Sequence, residues 1–133
     1  MSQENVEIVR STTEAFNRRD REAWLRLNDP EVAFRAAAEW PESGTVRGPE
    51  AVWDFIVSLT EPWEQEDFEM VEFVDVDDDN LVARFRRPVQ GKASGITEEL
   101  DYWCMNSFRE GKIVSHEWFA SREEALEAAG LSE

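Results

Sequence analysis

Apolar positions recur along this chain at two spacings, and the change falls near Pro62. Val6, Val9, Thr13 and Phe16 are three and four residues apart, which predicts an amphipathic helix from Gln3 to about Asn17. Asp20 caps a short second helix with Ala23, Trp24 and Leu27 on one face. Asp29-Pro30 stops it, because the residue before proline is pushed out of helical geometry. Val32, Phe34 and Ala36 alternate with Ala33 and Arg35 as a brief strand, and AEWPESGTVR reads as a loop. Gly48-Pro49-Glu50 opens a third helix with proline in its first turn, and Val52, Phe55, Ile56 and Leu59 form its buried stripe.

After Pro62 the period drops to two. FEMVEFVDV, LVARFRRPVQ, ITEELDYWCMNSFR and KIVSHEWFA read as four successive strands, with DVDDDN and QGKASG as turns. Short connections between consecutive strands predict an antiparallel meander, and helices grouped ahead of it predict an α+β domain spanning residues 1–133. Ser121-Arg-Glu-Glu124 is a capping-box pattern, so a last helix runs from about Arg122 to Ala129, stopped by Gly130.

The final hairpin carries the chain's single cysteine and single histidine. If Phe108-Arg109-Glu110-Gly111-Lys112 forms a three-residue loop with its bulge at Gly111, Phe108 opposes Lys112. Asn106 then meets Val114, Cys104 meets His116, and Tyr102 meets Trp118. Even-numbered side chains of the long strand, Ile96 and Glu98 through Phe108, look into the fold. Trp103, Met105 and Ser107 share the outer face with Ile113, Ser115, Glu117 and Phe119. Two readings of Cys104 and His116 stand: a thiol activated by an imidazole, or a small buried thiol beside a hydrogen-bonded histidine. Glu98 is either a carboxylate turned inward, where it must find a partner or a proton, or a solvated residue at the strand end.

Charge removes some function classes. There are 14 Lys plus Arg against 30 Asp plus Glu, a formal charge of −16, which repels a phosphate backbone and disfavours an anionic membrane surface. No apolar run reaches the ~20 residues of a membrane span. One cysteine and one histidine supply neither an internal disulfide nor an all-Cys/His zinc site. Asp75, Asp77 and Asp79 alternate like a calcium loop, but Asn80 stands where its glycine belongs and Arg86 where its last acidic ligand belongs, so a hairpin turn is expected. The opening MSQENVEIVRS lacks a secretory pattern, and a cytoplasmic protein is expected. Six Trp and eight Phe point to aromatic side chains lining something as well as filling a core. Trp40, Trp53 and Trp63 fall where they could cover the open end of a curved sheet.

Ala15-Phe-Asn-Arg-Arg-Asp20, Asp29-Pro-Glu-Val32, Arg47-Gly-Pro-Glu-Ala-Val52, Ser94-Gly95, Arg109-Glu-Gly-Lys-Ile113 and the segment from Arg122 to Leu131 resemble, in order, the SnoaL-like polyketide cyclase branch of the nuclear-transport-factor-2-like (NTF2-like) superfamily. The resemblance implies a cone, in which a curved antiparallel sheet wraps a helix around a pocket for a small apolar or polycyclic molecule. It also implies a homodimer built on the outer sheet face, here Trp103, Met105 and Phe119.

The isomerase-like members place a carboxylate base, a tyrosine donor and a protonated acid where Phe34, Thr12 and Cys104 stand here. The cyclase members use a strand histidine near Cys104 and a last-strand aspartate near His116 or Trp118. Two functions are therefore expected as alternatives, without metal or cofactor. One is general acid–base catalysis by His116 with Tyr102 and Asn106, Glu98 or Tyr102 completing a rearranged pair. The other is a binding protein with no chemistry. In either case Phe16, Phe34, Phe55, Ile56, Phe85, Glu98, Cys104 and Trp118 line the pocket.

Overall fold

The computed structural model describes residues 2–38, 40, 44–60, 63–65, 67–91 and 94–131; at 2, 63–65, 89 and 98 it describes the backbone alone. Helix α1 (Ser2–Asn17) buries Val6, Val9 and Phe16, as its spacing predicts. It ends in a left-handed residue, Arg19 (φ 57), with the Asp20 amide bonded back to the Ala15 carbonyl. Asp20 then caps α2 (Arg21–Leu27) by accepting from the Ala23 amide. Strand β1 (Asn28–Arg35) begins earlier than the alternation suggests, running through Pro30 at an irregularity in its pairing. Strand β2 (Thr45–Arg47) pairs with β1 inside the segment expected to be loop. Helix α3 (Pro49–Thr60) follows, then the three-residue β3 (Trp63–Gln65), a second strand that alternation could not reveal.

The long strands come next: β4 (Glu69–Asp77), β5 (Asn80–Gly91), β6 (Thr97–Arg109) and β7 (Lys112–Phe119). They pair antiparallel in sequence order, but β7 also runs parallel to β1, so the sheet is mixed rather than a pure meander. Its order is β2-β1-β7-β6-β5-β3, with β4 also on β5, and it is curved and open. The DVDDDN turn is closed by Asp77, whose Oδ1 accepts from the Asp79 amide and the Asn80 side chain. Among the described residues no helix is long and apolar enough to cross a membrane.

The main core lies between α1–α3 and the concave face, around Trp24, Phe34, Leu81, Cys104 and Ile113. A smaller cluster, Val82, Trp103 and Ala125, lies on the convex face beneath α4 (Arg122–Ala128). Ser121 caps α4 by accepting from the Glu124 amide, and its hydroxyl donates to the Glu124 carboxylate. Trp103 is thus buried within its own chain, while Met105 and Phe119 stay half-buried. On this face Arg84 pairs with Asp101 and Glu72, Arg86 with Glu99, and Arg35 with Glu117.

Candidate functional site

The last hairpin sets the site, and its register differs from the sequence expectation. Glu110 (φ 53) and Gly111 (φ 78) form a two-residue turn, so Arg109 opposes Lys112. The extra residue sits instead at Val114, where β7 advances two positions while β6 advances one. Asn106 therefore faces His116, and Cys104 faces Trp118; the expected Cys104–His116 pair does not form. Without the bulge, His116 and Trp118 would turn outward and Glu117 inward, because a one-residue slip flips every side chain. The bulge restores their inward aim. The two-residue turn, by pairing Phe108 with Ile113, brings Ile113 into the core rather than onto the outer face where it was expected.

A cavity of about 400 Å³ opens on the concave side, within the range of small-molecule sites. Helix α1 contributes Val9, Thr12, Thr13 and Phe16, α2 contributes Trp24, and α3 contributes Ile56, Leu59 and Thr60. The sheet contributes Phe34, Phe85, Arg87, Leu100, Tyr102, Cys104, Asn106, Ile113, His116 and Trp118, with Trp40 and Phe68 from connecting segments. Of the expected pocket residues, Phe55 is outside this lining: it packs edge-on against Phe34 at 5.5 Å, behind the wall. The side chain of Glu98 lies outside the described structure, as does that of Trp63. Trp53 is core, edge-on to Phe16 and tilted against Trp24.

His116 sits at one end, buried and near-parallel to the Trp24 indole, with ring centroids 6.0 Å apart. Its Nε2 lies 2.7 Å from Asn28 Oδ1 and its Nδ1 3.1 Å from Asn106 Nδ2. The Asn28 amide is oriented by donating to the Trp24 carbonyl at 2.8 Å, which leaves its oxygen for the imidazole. Nε2–H therefore donates and Nδ1 accepts, which assigns the neutral ring to one tautomer. Burial lowers the imidazole pKa to about 4. Cys104 is also buried, and desolvation pushes its thiol far above the ordinary value. A thiol so placed is a packing group rather than a thiolate nucleophile.

At the other end, Arg87 is 3% exposed, on an inward position of β5, with its guanidinium carbon 4.4 Å above the Phe68 ring. Burial lowers its pKa to about 10, with neighbouring Arg19 adding to the effect. Arg19 lies 4.2 Å over the Phe16 ring and donates to Thr60 Oγ1 at 3.4 Å. Between the ends stand Phe34, Phe85, Trp118, Trp40 and Tyr102, the last two edge-on at 5.1 Å. Among the described residues no carboxylate lines the cavity, and no three or more His, Cys, Asp or Glu gather as they would around a metal.

Arg87, Trp24 and Asn28 escaped the sequence reading. Arg87 had a signal: Leu81, Ala83, Phe85 and Arg87 alternate on one face, so a charge continues an otherwise apolar row.

Residues 9–116 match the family model described as the SnoaL-like domain. The chain belongs to this family. The family's NTF2-like α+β cone is the architecture described above, and among solved structures the similarity extends over whole chains. An NTF2-like protein from Burkholderia xenovorans is 25% identical over 97% of this chain and 97% of its own, with a TM-score of 0.76. TerC, co-crystallised with polyporic acid, is 21% identical over 96% and 98%, with a TM-score of 0.75. A Mycobacterium tuberculosis protein in complex with estradiol-17beta-hemisuccinate is 18% identical over 85% and 90%, with a TM-score of 0.69. No curated protein matches the sequence.

Proposed function

We propose that this SnoaL-like domain binds a small, largely apolar, aromatic or polycyclic molecule in the concave cavity and performs no acid–base chemistry on it. The observation that carries this reading is the double engagement of His116: both ring nitrogens end on asparagine side chains, and the ring is neutral. A general base needs a free lone pair within reach of the proton it takes. Here the Nδ1 lone pair is filled by Asn106, and Asn106 itself is held between His116 and the Ser115 carbonyl. His116 and Asn106 thus act as a rigid floor, and Tyr102, Phe34, Phe85 and Trp118 as walls. Similar folds that hold polyporic acid and a steroid hemisuccinate support the size and character of the ligand.

Calorimetric titration with 2-naphthylmethanol, a neutral aromatic alcohol, tests the cavity. Saturable one-to-one binding is expected, weakened about tenfold or more by Ile56→Trp, which fills the space from α3. Absence of binding, or binding indifferent to Ile56→Trp, overturns the reading.

Two copies pairing through the outer face is part of the same proposal, narrowed by α4 to the surface around Met105 and Phe119. Light scattering tests it: a dimer mass that falls to monomer in Met105→Asp supports it, and a monomer in the wild type rejects it.

A further inference from the structure

We infer that Tyr102 selects the ligand: its hydroxyl donates to a neutral acceptor on the bound molecule, a carbonyl oxygen. The inference rests on the binding reading above and names the functional group that the ligand presents. It follows from which donors of the lining are already committed. The Thr12 and Thr13 hydroxyls donate to the carbonyls of Ile8 and Val9, and Thr60 donates to that of Val57. Asn106 directs its amide at His116 and Ser115, and the His116 Nε2–H ends on Asn28. Arg87 and its neighbour Arg19 hold contacts of their own, and the Asp67 carboxylate acts on both. The Trp118 indole N–H has no acceptor among the described residues, but it is shut off from solvent.

Tyr102 differs from all of these. It lines the cavity from an inward position of β6, opposite Phe85 on β5, and is half-buried there. The Trp40 ring meets it edge-on at 5.1 Å, which holds the phenol in place. Among the described residues its hydroxyl makes no hydrogen bond. The donor left for a ligand is therefore this one, at the corner where Trp40, Trp118 and Phe85 come together.

Two considerations decide what the hydroxyl receives. A phenolic O–H is a better donor than its ring-conjugated oxygen is an acceptor, so the matching group on the ligand is an acceptor. The chain carries a charge of −16, against which an anionic acceptor would have to approach, whereas a carbonyl approaches unopposed. Once an aromatic ligand displaces water from this corner, the hydroxyl finds its partner on the ligand or goes without one. A pocket built to bond a polar group discriminates strongly against the analogue that lacks it.

The test pairs 1-tetralone with tetralin, the same bicycle with and without the carbonyl, by calorimetry on the full chain and on its Tyr102→Phe variant. Tyr102→Phe is expected to weaken 1-tetralone about tenfold and tetralin less than about twofold, because the aromatic wall is kept and only the hydroxyl is lost. An unchanged affinity for 1-tetralone, or equal weakening of both compounds, overturns the inference while leaving the cavity reading intact. The infrared carbonyl stretch of the bound ketone gives a second readout. It is expected to lie lower in the wild type than in Tyr102→Phe, and the same frequency in both overturns the inference. If neither compound binds the wild type, the cavity reading and this inference fall together.

Discussion

The two ends of the cavity face the same problem, a nitrogen-rich side chain taken out of water, and they meet it differently. His116 surrenders its charge: its pKa falls to about 4, and two asparagines satisfy the neutral ring. Arg87 cannot do the same, because even lowered to about 10 it stays protonated at neutral pH. It keeps its charge against the face of Phe68. Burial alone therefore does not mark a reactive group. The residue with the more familiar catalytic identity is here the one that gives up its charge, and Arg87 is the one that keeps it.

The largest perturbation removes the histidine end altogether. His116→Glu puts a carboxylate where the neutral ring is now buried between two asparagines. A loss of about 4 kcal/mol or more is expected from the unpaired buried carboxylate, read as a drop in the urea midpoint or as failure to fold. Next, Asn28→Leu strips the acceptor from His116 Nε2–H and the donor from the Trp24 carbonyl. With two buried groups left unsatisfied, about 3 kcal/mol should be lost in urea unfolding; a cost below about 1 kcal/mol would show the network to be slack.

The smallest of the three is a pH effect. Folded His116 binds its proton near pH 4, whereas the unfolded ring does so near the ordinary 6.5. Between those values the unfolded chain holds more protons, so the stability of the neutral ring is whole above about pH 6.5 and drains as pH falls toward 4. On the order of 2 kcal/mol should be missing by pH 4.5. Comparing this acid slope with that of His116→Gln separates it from Asp29 and Asp101, whose carboxyls are held below the usual range by bonds from Arg109 and Arg84. Identical slopes in the two proteins would erase the contrast between the cavity's ends.

How much of this was legible beforehand follows from the range of each interaction. All four helices and the four long strands show in the spacing of apolar residues, since period and caps are local properties. Strands β2 and β3, three residues each, are too short to alternate, and the parallel seam between β1 and β7 joins segments some 80 positions apart. The inward aim of Cys104, Asn106, His116 and Trp118 was legible because only the parity of the hairpin matters for it. One surplus residue was required; the sequence placed it at Gly111 and the fold places it at Val114, which preserves the face and changes the partners. Asn28 could not be read as a partner of His116, 88 positions away, because nothing near either residue encodes the other.

The most direct test is a nitrogen-15 NMR titration of the imidazole, unambiguous because the chain has a single histidine. A neutral, fully bonded ring predicts an Nε2–H tautomer at neutral pH and a midpoint near 4. A midpoint at or above 6.5, or an Nδ1–H tautomer, would contradict it and return His116 to the role of a proton-transfer group.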